Sequence, residues 1–294
     1  KRQKEYSVII DTFDLPLRYD FEHYELNETG KYQVFFEETQ GTALFKQYIW
    51  ASGNSGFALT GVGRNPQEYP TVSIENGIDG SRAIKLETKS TGQFGETVKM
   101  PIAAGNLFLG SFDVNNAVQK PLKATRFGLP FGKKPLQLKG YYKYTPGTQP
   151  FKAKDKNGNT VTIPGQEDEG DIYAVLYEAA ELDGKALDGN NVLTSENIVA
   201  LARVEVEKKD EFTAFHVDFH YGSRIPIDWP KFIQDQRDPS DDGTAPYLSF
   251  SEEKMKNYEY NLAVVFTSSK YGAYFAGSVG STLCIDKVEI VCEK

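Results

Sequence analysis

The chain is poor in residues that cross-link or coordinate: of 294 residues, two are cysteine and three are histidine. Cys284 and Cys292 sit eight residues apart in one strand-like run, roughly 26 Å at about 3.3 Å per residue, so they cannot bond to each other. A disulfide framework and a cysteine-based zinc site are excluded, and two free thiols leave the redox compartment open. No apolar run is long enough to span a bilayer, and none has the form of a signal peptide. The first residue is Lys1 rather than Met, which leaves room for a leader, a lipid anchor or a domain upstream. Basic charge is scarce as well: 33 Lys and Arg against 41 Asp and Glu give a formal charge of −8, which argues against a nucleic-acid backbone as partner. Walker loops, dinucleotide fingerprints, His-Glu-x-x-His pairs and Gly-x-Ser-x-Gly elbows are all missing, so an enzyme is disfavoured without being excluded.

What the chain does have is aromatic and turn-forming residues. Nineteen Phe and 17 Tyr stand against two Met, with 26 Gly and 14 Pro, a mix that favours strands over helices. Alternation of apolar and polar residues predicts strands at Leu15–Glu22, Tyr32–Phe36, Ala43–Trp50, Phe57–Thr60, Pro70–Ile74, Ala83–Thr88, Asn106–Phe112, Ala124–Phe127 and Leu136–Tyr144. Further strands are expected at Asp171–Ala179, Val199–Val206 and Phe212–His220, and two more within Tyr260–Lys294. Short helices are expected only near Asp228–Gln236 and Ser251–Lys256. More than ten strands without a βαβ rhythm point to an all-β sandwich, with the last strand returning beside the first as in a jelly roll. Residues 1–10 read as an N-terminal arm or linker and 11–294 as the sandwich. Phe151–Asp171 reads as an exposed polar excursion, and its Glu167-Asp168-Glu169 run as a solvated cluster without a catalytic role.

Within Thr282–Cys292 the apolar phase slips by one residue between Ile285 and Val288, which predicts a β-bulge at Asp286-Lys287. Glu22 and Asp286, each on a polar phase near one end of the chain, form the carboxylate pair worth weighing. With backbone carbonyls they would suit Ca²⁺, a hard ion that takes oxygen ligands; as a charged rim they would instead pair with Arg18 or Lys287. His216 and His220 lie about 13 Å apart along one strand, too far to share a metal. Rings beside turns are the other signal, since a flat ring can stack on the C–H face of a sugar. The candidates are Trp50, Tyr221, Trp229 and Tyr271, with core packing as the alternative for each.

The segments Lys139–Gly147 (KGYYKYTPG), Asp171–Tyr177 (DIYAVLY), Phe266–Gly272 (FTSSKYG) and Gly277–Glu289 (GSVGSTLCIDKVE) resemble the putative carbohydrate metabolism domain of surface lipoproteins from gut Bacteroidetes. The resemblance implies a jelly-roll sandwich similar to carbohydrate-binding modules. It further implies an exported protein, periplasmic or on the outer membrane as a lipoprotein, acting on or near glycans. It also implies a structural calcium between the early Phe21-Glu22 step and the late Ile285-Asp286 step. Cys284 departs from the aromatic or aliphatic residue more usual there. The function expected is non-catalytic binding of a poly- or oligosaccharide by a monomer, with a glycoside hydrolase or lyase using paired carboxylates as the first alternative. An adhesion or scaffold module that binds protein is the second.

Overall fold

The computed structural model describes residues 14–39, 45–179, 186–238 and 243–294; the predicted arm at 1–10 lies outside them. Ten strands carry the architecture: β1 (Arg18–Tyr19), β2 (Thr71–Ile74), β3 (Ala83–Glu87), β4 (Asn106–Phe112), β5 (Pro135–Thr145), β6 (Asp171–Glu178), β7 (Ile198–Val204), β8 (Lys209–Asp218), β9 (Tyr260–Thr267) and β10 (Thr282–Cys292). The first sheet runs β8-β5-β10-β3-β2, with β1 also paired to β10. The second runs from Thr125–Phe127 through β4, β9, β6 and β7 to His220–Tyr221, and Trp50–Ala51 adds to β4. Every pairing is antiparallel, and the chain crosses repeatedly between the sheets, which makes the molecule an all-β jelly-roll sandwich.

Period-two patterning explains the layers. On β6 Ile172, Ala174 and Leu176 point into the main core, where they meet Leu262, Val264 and Phe266 of β9 and Leu138, Leu283, Ile285 and Ile290 of the first sheet. The alternate residues Tyr173, Val175 and Tyr177 point outward, yet these too are buried, in a second cluster with Phe108, Leu201 and Val265. A strand apolar on both faces needs cover on both sides. Here loops supply the second cover.

Several expectations change. Phe57–Thr60 is not a strand: Asn54–Ala58 is a short helix, because the buried Asn54 amide exchanges hydrogen bonds with the Thr71 backbone and holds the segment against β2. Gly92–Thr97 is a second unforeseen helix. The polar excursion contains a hairpin, Lys152–Lys154 against Thr160–Thr162, whose Phe151 and Ala153 are buried beside Ile233 and Tyr274.

The predicted bulge is present. Lys139 faces Glu289 and Tyr141 faces Asp286, so Gly140 is opposed by two residues, and Lys287 takes a left-handed φ of 49°. On the other side of β10, β3 covers Thr282–Ile285 and β1 covers Val288–Glu289. The bulge therefore sits where one neighbour hands over to the other. Phe21 and Ile285 share the main core, so the two ends of the described chain meet in one sandwich.

Candidate functional site

A cleft of ≈ 200 Å³ opens on the outer face of the second sheet. Its floor is made of outward residues of the strands, among them Phe108, Tyr173, Arg203 and Val265, and its walls come from the loops that cap them. Across the floor, Tyr173 on β6 and Arg203 on β7 are register partners. Arg203 donates from Nε and Nη2 to the two carboxylate oxygens of Asp171 at 3.0 and 2.7 Å. Burial works against the Arg203 charge, but the Asp171 carboxylate outweighs it and holds the guanidinium's pKa above its ordinary value. Such a two-pronged pair fixes geometry as well as charge.

One wall is aromatic. Trp229 lies 6.4 Å from both Tyr271 and Tyr274, and Phe232 meets Tyr271 edge-on at 5.7 Å. The Arg237 guanidinium sits 4.2 Å from the Trp229 ring centre and donates to the Tyr274 hydroxyl at 2.8 Å. Lys270 donates to Glu169 at 2.8 Å and lies 5.7 Å from the Tyr271 ring centre. Phe94, from the unforeseen helix, is 39% exposed and also lines the cleft. No pattern in the sequence marks Phe94, because its role depends on where the helix folds back.

The aromatic wall is held by the run expected to be solvated. Asp168 is buried, and its Oδ2 accepts from Ser269 Oγ, Ser278 N–H and Ser281 Oγ at 2.6, 2.8 and 2.7 Å. It ties the start of β6 to the β9–β10 connection, which carries Lys270 and Tyr271. Burial pushes the Asp168 carboxyl up to about 6, although its hydrogen bonds act in the other direction. Three of the four serines in FTSSKYGAYFAGSVGS bond to it, Ser269 and Ser281 through their hydroxyls and Ser278 through its backbone N–H; that cluster was the available signal, since a buried carboxylate needs several donors.

Of the four predicted sugar-facing rings, the structure brings two to this cleft, Trp229 in its wall and Tyr271 packed against it. Trp50 is corrected: it is 4% exposed in the main core, edge-on to Tyr19 at 5.0 Å, and its indole donates to Glu37 at 2.8 Å. A ring closed on all sides by Tyr19, Phe21 and Phe266 cannot stack on a ligand. Tyr221 is half-buried against Phe250, with its hydroxyl donating to the Pro135 carbonyl at 2.7 Å, and lies outside the cleft lining. His216 and His220 are exposed, the latter 3.1 Å from the Ser223 hydroxyl.

Glu22 and Asp286 converge on one loop, the β2–β3 turn. Asp286 is fully buried; its Oδ2 accepts the Ile78 N–H at 2.7 Å and lies 3.1 Å from the Ser81 hydroxyl, while its Oδ1 accepts the Lys287 N–H at 2.7 Å. Glu22 accepts the Arg82 N–H at 3.0 Å. Gly77 completes the fit, since a Cβ there would come within 2.7 Å of Asp286 Oδ2. Carbonyl oxygens stand at the same corner: the Ser81 hydroxyl beside Asp286 is also 2.6 and 3.3 Å from the Ile78 and Arg82 carbonyls. Among the described residues no third His, Cys, Asp or Glu joins the two carboxylates. As arranged, the pair anchors the β2–β3 turn through its amides and the Ser81 hydroxyl.

A jelly-roll sandwich with a ring-walled cleft on one sheet defines a class of carbohydrate-related domain. The chain belongs to the putative carbohydrate metabolism domain family, whose model matches residues 20–291. It is similar to a solved structure from Bacteroides thetaiotaomicron VPI-5482 described as a putative glycoside hydrolase, at 41% identity and TM-score 0.76, over 96% of this chain and 72% of the other. It is likewise similar to one from Bacteroides vulgatus ATCC 8482 with the same description, at 34% identity and TM-score 0.74, over 95% of this chain and 99% of the other. No curated protein matches the chain.

Proposed function

We propose that the protein binds glycan non-catalytically in this cleft. The observation that carries the reading is the lining itself: aromatic and aliphatic walls around few polar groups, with Asp171 as the one carboxylate among the described lining residues and already bonded to Arg203. Stacking on Trp229 and Phe94 with hydroxyls bonded at the floor is the chemistry that sugar recognition needs. An exported or cell-surface location belongs to the same proposal, because a polymeric glycan meets a protein outside the cell.

Glycoside hydrolysis is the second reading, and the description given to the two solved relatives favours it. It requires two carboxyl groups about 5 to 9 Å apart facing one sugar; the cleft lining supplies one. One experiment separates the two readings. Binding measured by calorimetry against a panel of polysaccharides is expected to weaken by about tenfold or more in Trp229→Ala and Phe94→Ala, with no reducing sugar released by the unaltered protein. Release of reducing ends that is lost in Asp171→Asn would establish the hydrolase instead.

A further inference from the structure

The pair on the cleft floor is only half used. A guanidinium carries five N–H donors, and Arg203 gives two of them to Asp171. Both hydrogens of Nη1 and the second of Nη2 make no hydrogen bond with the described residues. The Arg203 side chain is 18% exposed and that of Asp171 4%, and both line the cleft. A group that reaches the floor therefore meets donors first.

Two of the three cations lining the cleft already face a carboxylate. Asp171 neutralises Arg203 at 2.7 Å, and Glu169 neutralises Lys270 at 2.8 Å. Arg237 is turned onto the Trp229 ring and the Tyr274 hydroxyl. A uronate or sulfate gains most where a cation has no counter-ion, and here it would have to compete with a carboxylate already in bidentate contact. A hydroxyl oxygen has no such competitor: it takes a charge-assisted N–H from Arg203 and leaves the ion pair intact.

We infer that the cleft takes a neutral pyranose, its ring against Trp229 and its hydroxyl oxygens accepting from Arg203. Asp171 acts as the positioning residue that holds the fork edge-on to the sugar. This rests on the glycan-binding reading above and narrows it to a class of sugar.

The test is calorimetric binding of neutral xylo-, gluco- and manno-oligosaccharides and of oligogalacturonate, each at low and at high salt. Neutral oligosaccharides are expected to bind with salt-independent affinity, because no net charge is brought together. Arg203→Gln alone would leave Asp171 buried without its partner, so the informative variant is the double Asp171→Asn/Arg203→Gln, which removes the pair together. It should keep the circular dichroism spectrum and lose about tenfold or more in affinity for the neutral ligand. Tight binding of oligogalacturonate alone, weakened by salt, would overturn the neutral-sugar inference and leave glycan binding standing. Unchanged neutral-ligand affinity in a folded double variant would also overturn it. Failure of the unaltered protein to bind any of these glycans would overturn the glycan reading with it.

Discussion

Burial raises two carboxyls that the site and the core depend on. Glu37, closed in beneath Trp50, is pushed up to about 7 by burial, partly offset by the indole N–H it accepts. Asp168 is pushed up to about 6 for the same reason. In both cases the folded state holds the proton more tightly than an unfolded chain, whose carboxyls titrate near about 4. Stability therefore falls as pH rises from that range through 6 and 7, and levels off above. Glu37→Gln keeps an acceptor for the Trp50 indole and removes the charge. It is expected to melt higher than the unaltered protein at pH 8 by on the order of 1 kcal/mol of stability, and to match it at pH 5. Thermal melts across that range check the sign, and an equal offset at both pH values would contradict it.

At the scale of elements, the β10 bulge and the β2–β3 turn form one device. The bulge was legible because a period-two strand cannot shift phase without an extra residue, and Ile285 and Val288 show the shift. What the extra residue accomplishes was not legible. Asp286 becomes a buried acceptor for Ile78 and Lys287 only because the turn folds over the place where β3 gives way to β1. Asp286→Ala would strand these amides and is expected to cost about 1–3 kcal/mol for each buried donor left unmet. Chelation tests the calcium expectation at this corner: a fall in melting temperature that is abolished in Asp286→Ala supports it, and an unchanged melting temperature counts against it. Phe21 supports the same corner from the other side, with a left-handed φ of 57° that sends its ring between Trp50 and Phe266 while Glu22 turns to Arg82.

For the whole molecule, the main core draws Leu138, Ile285 and Val288 from one sheet and Leu109, Ile172 and Phe266 from the other. Neither sheet can leave without exposing that shared surface. Heating is therefore expected to give one cooperative transition, coincident by circular dichroism and tryptophan fluorescence. Phe266→Ala, which opens a cavity where Phe21 and Trp50 meet, should lower stability by about 3–5 kcal/mol. Two separated transitions would show that the sheets do not unfold together.

The sequence by itself determined the class of fold and the pairing of the chain's ends, because alternation is written locally and a strand needs a buried face wherever it lies. It also singled out Trp229 and Tyr271 by their surroundings of Pro, Asp, Ser and Gly; Trp229 lines the cleft, and Tyr271 packs beside it against a buried cluster. Only the tertiary structure decided that Trp50 is core, that Asp168 is buried among serines, and that Phe94 meets Trp229 and the Asp171–Arg203 pair around one cleft. Those relations join residues far apart in the chain, and the free energy that fixes them, desolvation and the matching of donors to acceptors, exists only once the layers have closed.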